Sequence, residues 1–168
     1  QLNDRLRESV LLSAPSVALK IVSGPPGTGK TSYLVNHLVK HIRQPSRVLL
    51  VAPNNVAVAN LYTKCIKAGL GEETALLLPR DRIPSGTIVM SNNPKKRIVC
   101  CTISGRCGPH LDNEKFEHVL VDEAAQCMEA WTWSLFRKEV ESMLLVGDTK
   151  QLRASVSVSG GRLLHSSR

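Results

Sequence analysis

The fold of this chain is decided by the stretch Gly24-Pro25-Pro26-Gly27-Thr28-Gly29-Lys30-Thr31, which fits the spacing G-x-x-x-x-G-K-[ST]. The strand-like run ALKIVSG precedes it at Ala18–Gly24, and Lys30–Arg43 follows it with apolar residues at helical spacing. A glycine-rich turn between a strand and a helix is typical of a phosphate-binding loop, because backbone N–H groups and the positive end of the helix dipole converge there. The sequence therefore predicts a nucleotide-binding P-loop.

Two side chains of this loop are expected to contact the nucleotide and its metal ion. We expect Lys30 to reach the β- and γ-phosphates of a nucleotide and the Thr31 hydroxyl to bind Mg²⁺. The other residues expected to line the phosphate site are Gly24, Pro25, Pro26, Gly27, Thr28 and Gly29. The alternative, a chance glycine-rich turn, does not account for the strand and the helix that flank the loop.

A pair of carboxylates ends a later apolar run, Val119-Leu120-Val121-Asp122-Glu123. At the carboxyl end of a strand near a phosphate loop, Asp122 is expected to hold Mg²⁺ through water, opposite Thr31. Glu123 is expected to orient or deprotonate the attacking water. The alternative is an acidic pair on the surface that caps the next helix.

Strand-like and helical segments alternate along the chain, which predicts an α/β fold with a mostly parallel sheet and helices on both faces. The further predicted strands are Arg47–Ala52, Thr74–Pro79, Arg97–Thr102, His118–Asp122 and Met143–Gly147, and a second helix is predicted over Ala57–Ala68. Residues 80–96 are rich in Pro, Ser, Asn and Gly, and are expected to form a loop with room for one short strand. Residues 155–168 are expected to fray.

Composition narrows the class of protein less than the motifs do. Lys and Arg total 22 of the 168 residues against 14 Asp and Glu, a surplus that favours either a polyanionic partner or a basic solvated surface. The five cysteines have no Cys-x-x-Cys spacing, which disfavours a metal site and is typical of buried, reduced thiols in an intracellular protein. No apolar run approaches about 18 residues, so no membrane span is predicted.

Beyond the phosphate loop, further segments resemble motifs of the superfamily 1 helicases, in the order that family has them. Asp122-Glu123-Ala124-Ala125-Gln126 resembles motif II, and the run LVGDTKQL at Leu145–Leu152 resembles motif III. The run APNNVAVANL at Ala52–Leu61 resembles motif Ia of the Upf-like branch, and CTISG at Cys101–Gly105 resembles that branch's CTxxG segment. Together these matches cover most of the chain.

The resemblance implies a single RecA-like P-loop NTPase domain over residues 1–168, which binds ATP with Mg²⁺ and hydrolyses it. It implies that Gln126 joins the network around the γ-phosphate and the attacking water, and that Gln151 senses the same phosphate. Asp148 is implied to link the nucleotide site to the nucleic-acid surface. The alternative for the two glutamines is that they are ordinary loop residues.

The resemblance also implies that the domain binds single-stranded nucleic acid, RNA or DNA. The contacts to the sugar-phosphate backbone are expected from Asn54, Asn55 and Thr102. The alternative for these three residues is helix capping or a hydrogen bond at a strand end. A second RecA-like domain of the same parent chain, with the arginine finger of motifs IV to VI, is expected after Arg168. Without that arginine we expect hydrolysis to be slow.

These residues bear on three candidate functions. The motif order favours an ATP-dependent helicase of which this chain is a part. The alternative is a non-motor nucleotide-binding or interaction module from a degenerate helicase paralogue. Leu6 supports this alternative, because it stands where the family reads adenine with Gln, and so does Ala59, where motif Ia usually has Asp. A GTPase or small-molecule kinase is disfavoured, because the sequence has no Asn-Lys-x-Asp segment and a kinase would not explain motifs Ia and III.

Overall fold

The computed structural model of the protein describes residues 17–127 and 134–148. Within them, a six-stranded sheet has the order β1-β6-β5-β2-β4-β3, and each neighbouring pair is parallel. The strands are β1 Ala18–Ser23, β2 Val48–Ala52, β3 Thr74–Leu77, β4 Ile98–Thr102, β5 His118–Val121 and β6 Ser142–Gly147. The predicted α/β class with a parallel sheet is confirmed.

In the described part of the chain, three α-helices connect these strands: α1 Lys30–His41, α2 Asn55–Lys67 and α3 Ile103–Arg106. Short 3-10 turns lie at Gly71–Glu73, Arg80–Arg82, Pro109–Leu111 and Ala124–Gln126. Helix α1 begins where the P-loop spacing predicts. Helix α2 begins two residues earlier than predicted, at Asn55 instead of Ala57, because the Asn54 side chain caps it.

Both faces of the inner strands are buried, which explains why β2, β4 and β5 are continuous apolar runs, whereas the edge strand β1 is largely exposed. In the fully buried strand β2, alternate residues point to opposite faces. Leu50 packs in a cluster with Leu34 of α1 and Leu61 of α2. Leu49 packs in the opposite cluster, which includes Ile103 of α3. The sheet therefore carries helices on both faces, with the two long helices on one side.

The segment between β3 and β4 differs from its prediction. A 3-10 turn occupies Arg80–Arg82, and residues 80–96 form no strand, so the short strand considered for this loop is wrong. Two isolated backbone donors tie the middle of the loop to the domain: Met90 N donates to the Tyr62 hydroxyl at 2.8 Å, and Leu76 N donates to Ser91 O at 2.9 Å. The end of the loop is held by side chains, since Arg47 donates to Pro94 O and Lys96 O. None of these bonds belongs to a ladder of strand pairing.

All five cysteines fall within the described ranges, and each is a free thiol. Cys65, Cys100 and Cys101 are buried, as expected, and burial raises the pKa of the Cys101 thiol to about 12. Cys107 is exposed, so the expectation of a buried thiol is wrong there. None of the helices in residues 17–127 and 134–148 has the length and apolar character needed to cross a membrane.

Candidate functional site

The phosphate loop and the acidic strand end lie at the same edge of the sheet, on either side of β6. In the register of the sheet, Ser23 of β1 pairs with Gly147 of β6, and Val121 of β5 pairs with Leu145. Gly24 N donates to Gly147 O at 3.1 Å, which fastens the start of the loop to the end of β6. Parallel strands place their carboxyl ends together, and ligands of such sheets bind there.

The phosphate loop folds as its glycines predict. Gly27 and Gly29 have φ values of +74° and +78°, in the left-handed region that glycine adopts without steric cost. The Lys30 ammonium lies against the loop, where it donates to Gly24 O and to Pro25 O, each at 2.7 Å. These two neutral carbonyls hold the ammonium at the start of α1 and leave its charge available to an anion.

The residues expected to hold Mg²⁺ are in direct contact. Thr31 Oγ1 donates to Asp122 Oδ2 at 2.7 Å, although the two residues are 91 positions apart in the sequence. Asp122 is only 3% exposed, and its other oxygen, Oδ1, accepts from Glu123 N at 3.0 Å. A hydroxyl and a carboxylate beside a phosphate site are hard oxygen donors of the kind Mg²⁺ takes from proteins, so this donor set fits the ion.

Glu123 is held in an unusual backbone conformation, with φ 51° and ψ 40°. For a residue other than glycine, this left-handed region stores strain, which is common at functional sites. Burial raises the pKa of Glu123, the Asp122 carboxylate raises it further, and Lys30 opposes them. A carboxyl group with a raised pKa suits a general base, because proton transfer is most efficient when the pKa of the base lies near the working pH.

These groups line one cleft of about 440 Å³. Its walls come from the phosphate loop and start of α1, from the acidic turn and from the end of β6, and they include Pro26, Gly27, Gly29, Lys30, Thr31, Asp122, Glu123, Ala125, Gln126 and Asp148. Gln126 ends the 3-10 turn that follows Glu123, and Asp148 is buried. The structure thus brings together the predicted phosphate, metal and water-activating residues. Gln151 and Leu6 lie outside the described residues.

Lys64 of α2 also lines this cleft, and the sequence did not predict it. Its Nζ donates to Ser32 Oγ at 2.7 Å, beside the first turn of α1. No local pattern distinguishes this lysine from Lys67, the other basic residue of α2, which is exposed. Only the packing of α2 against α1 brings it to the nucleotide side.

The three residues expected to contact nucleic acid lie at the ends of β2 and β4. Asn54 Oδ1 accepts from Ala57 N at 2.9 Å, and Thr102 Oγ1 accepts from Gly105 N at 3.0 Å, so each side chain caps the helix that follows it. Asn55 is the first residue of α2 and is partly exposed. Asn54 and Thr102 therefore cap helices, as the alternative for them expected. Both residues lie at the carboxyl edge of the sheet.

A family model described as "AAA domain" matches residues 1–87 and 86–158. The chain belongs to the AAA domain family. The chain is 29% identical to regulator of nonsense transcripts 1 of Dictyostelium discoideum, in an alignment that covers 88% of this chain and 15% of that protein. It is 30% identical to the ATP-dependent helicase NAM7 of Saccharomyces cerevisiae, over 80% of this chain and 18% of that protein.

These relatives confirm the resemblance to the Upf-like branch of superfamily 1 helicases. The fold is also that of a solved helicase, arterivirus nonstructural protein 10 in complex with DNA, with a TM-score of 0.58 at 21% identity over 85% of this chain and 31% of that one. This AAA domain thus spans less than a fifth of the length of the two relatives compared above.

Proposed function

We propose that this chain is the ATP-binding, RecA-like domain of an ATP-dependent helicase that acts on single-stranded RNA or DNA. The observation that carries the proposal is the contact between Thr31 Oγ1 and Asp122 Oδ2 at the mouth of the phosphate loop, with Glu123 next in the chain. Hard oxygen donors suited to Mg²⁺, a carboxyl group on a strained backbone and a phosphate loop lie in one cleft, and these are the parts that nucleotide hydrolysis needs.

Each residue has a defined part in this proposal. Lys30 and the loop backbone bind the β- and γ-phosphates, and Thr31 and Asp122 hold Mg²⁺, which supplies charge neutralisation on the phosphate oxygens. Glu123 accepts a proton from the water that attacks the γ-phosphorus, and Gln126 orients that water. Gln151 is proposed to sense the γ-phosphate, on the strength of the motif III resemblance alone.

Coupling to nucleic acid belongs to the same proposal. Asn54, Asn55 and Thr102 are proposed to contact the sugar-phosphate backbone at the carboxyl edge of β2 and β4. A second RecA-like domain of the parent chain is proposed to supply the arginine finger, which is worth about 10³–10⁵ in the rate of phosphoryl transfer. The basic surplus of the chain suits a polyanionic partner, and its free thiols suit an intracellular setting.

The Lys30→Ala variant tests nucleotide binding. We expect calorimetric titration to show loss of Mg·ATP binding, because the one loop side chain that carries a cation to the phosphates is removed. Circular dichroism should be unchanged, since the hydrogen bonds of Lys30 to the described residues go to two carbonyls of its own loop. An affinity equal to that of the wild type would overturn the phosphate-loop assignment.

Phosphate release separates a motor from the non-motor alternative. Residues 1–168 should hydrolyse ATP near background, and a longer parent chain with its second domain should gain several orders of magnitude when single-stranded nucleic acid is added. Glu123→Gln should remove that gain and spare ATP binding. A longer chain that binds ATP without stimulated hydrolysis would support the non-motor module instead.

A further inference from the structure

Helix α2 brings a second lysine to the nucleotide cleft from outside the phosphate loop. Lys64 lines the cleft together with Lys30 and Thr31, although it belongs to the last turn of α2. Its Nζ donates to Ser32 Oγ at 2.7 Å, and Ser32 directly follows Thr31 in the sequence. The ammonium of Lys64 is therefore held at the first turn of α1, in the cleft that Lys30 and Thr31 also line.

The charges that line the cleft show why a second cation matters. Among the residues that the structure describes, the cleft is lined by three carboxylates, Asp122, Glu123 and Asp148, and by two lysines, Lys30 and Lys64. A nucleoside triphosphate brings further negative charge into this space, and like charges that are brought together cost free energy unless cations offset them. The Ser32 hydroxyl is neutral, so its hydrogen bond orients the ammonium without cancelling its charge.

We propose that Lys64 is a second phosphate-binding cation. When a nucleoside polyphosphate binds, the Lys64 ammonium exchanges its hydrogen bond to the Ser32 hydroxyl for a contact with the phosphate chain. The four-carbon stem of lysine is flexible and its compact ammonium has three donors, so the exchange of a hydroxyl for phosphate oxygens needs no backbone movement. This inference rests on the proposed function of the cleft. It adds a phosphate-binding side chain from α2, the helix that begins at the candidate nucleic-acid contacts Asn54 and Asn55.

The test compares Lys64→Met with Lys67→Met in residues 1–168. Lys67 lies in the same last turn of α2, is exposed, and does not line the cleft, so the two variants lose the same charge from the same helix. Calorimetric titration with Mg·ATP and with Mg·tripolyphosphate should show about tenfold weaker binding of both ligands for Lys64→Met, a change of about 1.4 kcal/mol. Lys67→Met should bind both as the wild type does. Lys64→Arg keeps a cation at the same position and should recover most of the affinity.

The outcomes separate this inference from the proposed function. If the wild-type chain does not bind Mg·ATP, the proposed function fails and the role of Lys64 fails with it. If the wild type binds and Lys64→Met binds as tightly as Lys67→Met, the role of Lys64 alone is overturned. Weaker binding of Mg·ATP with unchanged tripolyphosphate binding would place the contact on the base or ribose, and it would also overturn the phosphate assignment. Should Lys64→Met fail to fold, as judged by circular dichroism, a Lys64→Arg variant that folds but does not bind would likewise contradict a role based on charge.

Discussion

Gly147→Ala would add one methyl group where the end of β6 meets the acidic turn. A Cβ at this position would lie 3.0 Å from Ala125 N and 3.3 Å from Ala124 N. Both neighbours are backbone atoms, which cannot turn aside as the end of a side chain can. Overpacking of a close contact costs typically about 1–3 kcal/mol, and we expect the free energy of unfolding to fall by that amount.

The matched control is Gly71→Ala, on the other side of the domain. Its Cβ would lie equally close to a neighbour, 3.0 Å from Met90 Sδ, but a methionine side chain is flexible and can move away. Urea denaturation of the three proteins should show a lower midpoint for Gly147→Ala with an unchanged slope, and little change for Gly71→Ala. The reasoning is refuted if Gly147→Ala is as stable as the wild type, or if both variants lose the same stability.

Two further predictions concern the charge and the base specificity of the cleft. Because burial and Asp122 raise the pKa of Glu123 in the folded state, its ionisation costs stability as the pH rises above the ordinary value of 4.5. Glu123→Gln should therefore unfold at higher urea than the wild type at pH 7. The difference should shrink as the pH falls through the raised pKa towards 4.5 and disappear below 4.5, and a constant difference would contradict the raised pKa. With Leu6 at the position where the family reads adenine, ATP and GTP should bind with affinities within about tenfold, about 1.4 kcal/mol. Competition titration would measure this, and Leu6→Gln should favour ATP; a strong adenine preference in the wild type would show that another group reads the base.

Much of this fold could be predicted from the sequence, because the decisive signals are local. The conformation of the phosphate loop depends on glycines within a few residues of one another, and Gly27 and Gly29 adopt the left-handed backbone that only glycine takes easily. The apolar runs of β2, β4 and β5 predicted buried parallel strands, because side chains on both faces of such a strand lie in the core. The spacing of the phosphate loop also predicted the start of α1 at Lys30.

The boundaries of helices and strands, and the caps of helices, were less predictable, because they depend on which hydrogen-bond partner a side chain has in the folded chain. Asn54 and Thr102 carry polar groups that suit either a helix cap or a contact with nucleic acid, and the sequence leaves both open. The structure shows each one accepting a hydrogen bond from the helix it precedes. The loop of residues 80–96 likewise has residues that could form a strand, and its few tertiary hydrogen bonds decide against one.

That this chain has a P-loop in an α/β domain follows from its residues alone, because the conformation of a glycine and the period of apolar residues depend on neighbours in the chain. Which distant groups meet depends instead on how the strands and helices pack. The order of the strands places β6 between β1 and β5, and so brings Thr31 within 2.7 Å of Asp122 across 91 positions of sequence. The packing of α2 beside α1 brings Lys64 to Ser32 across 32 positions. Contacts of this kind depend on the sheet order and on helix packing, which no local pattern of residues encodes.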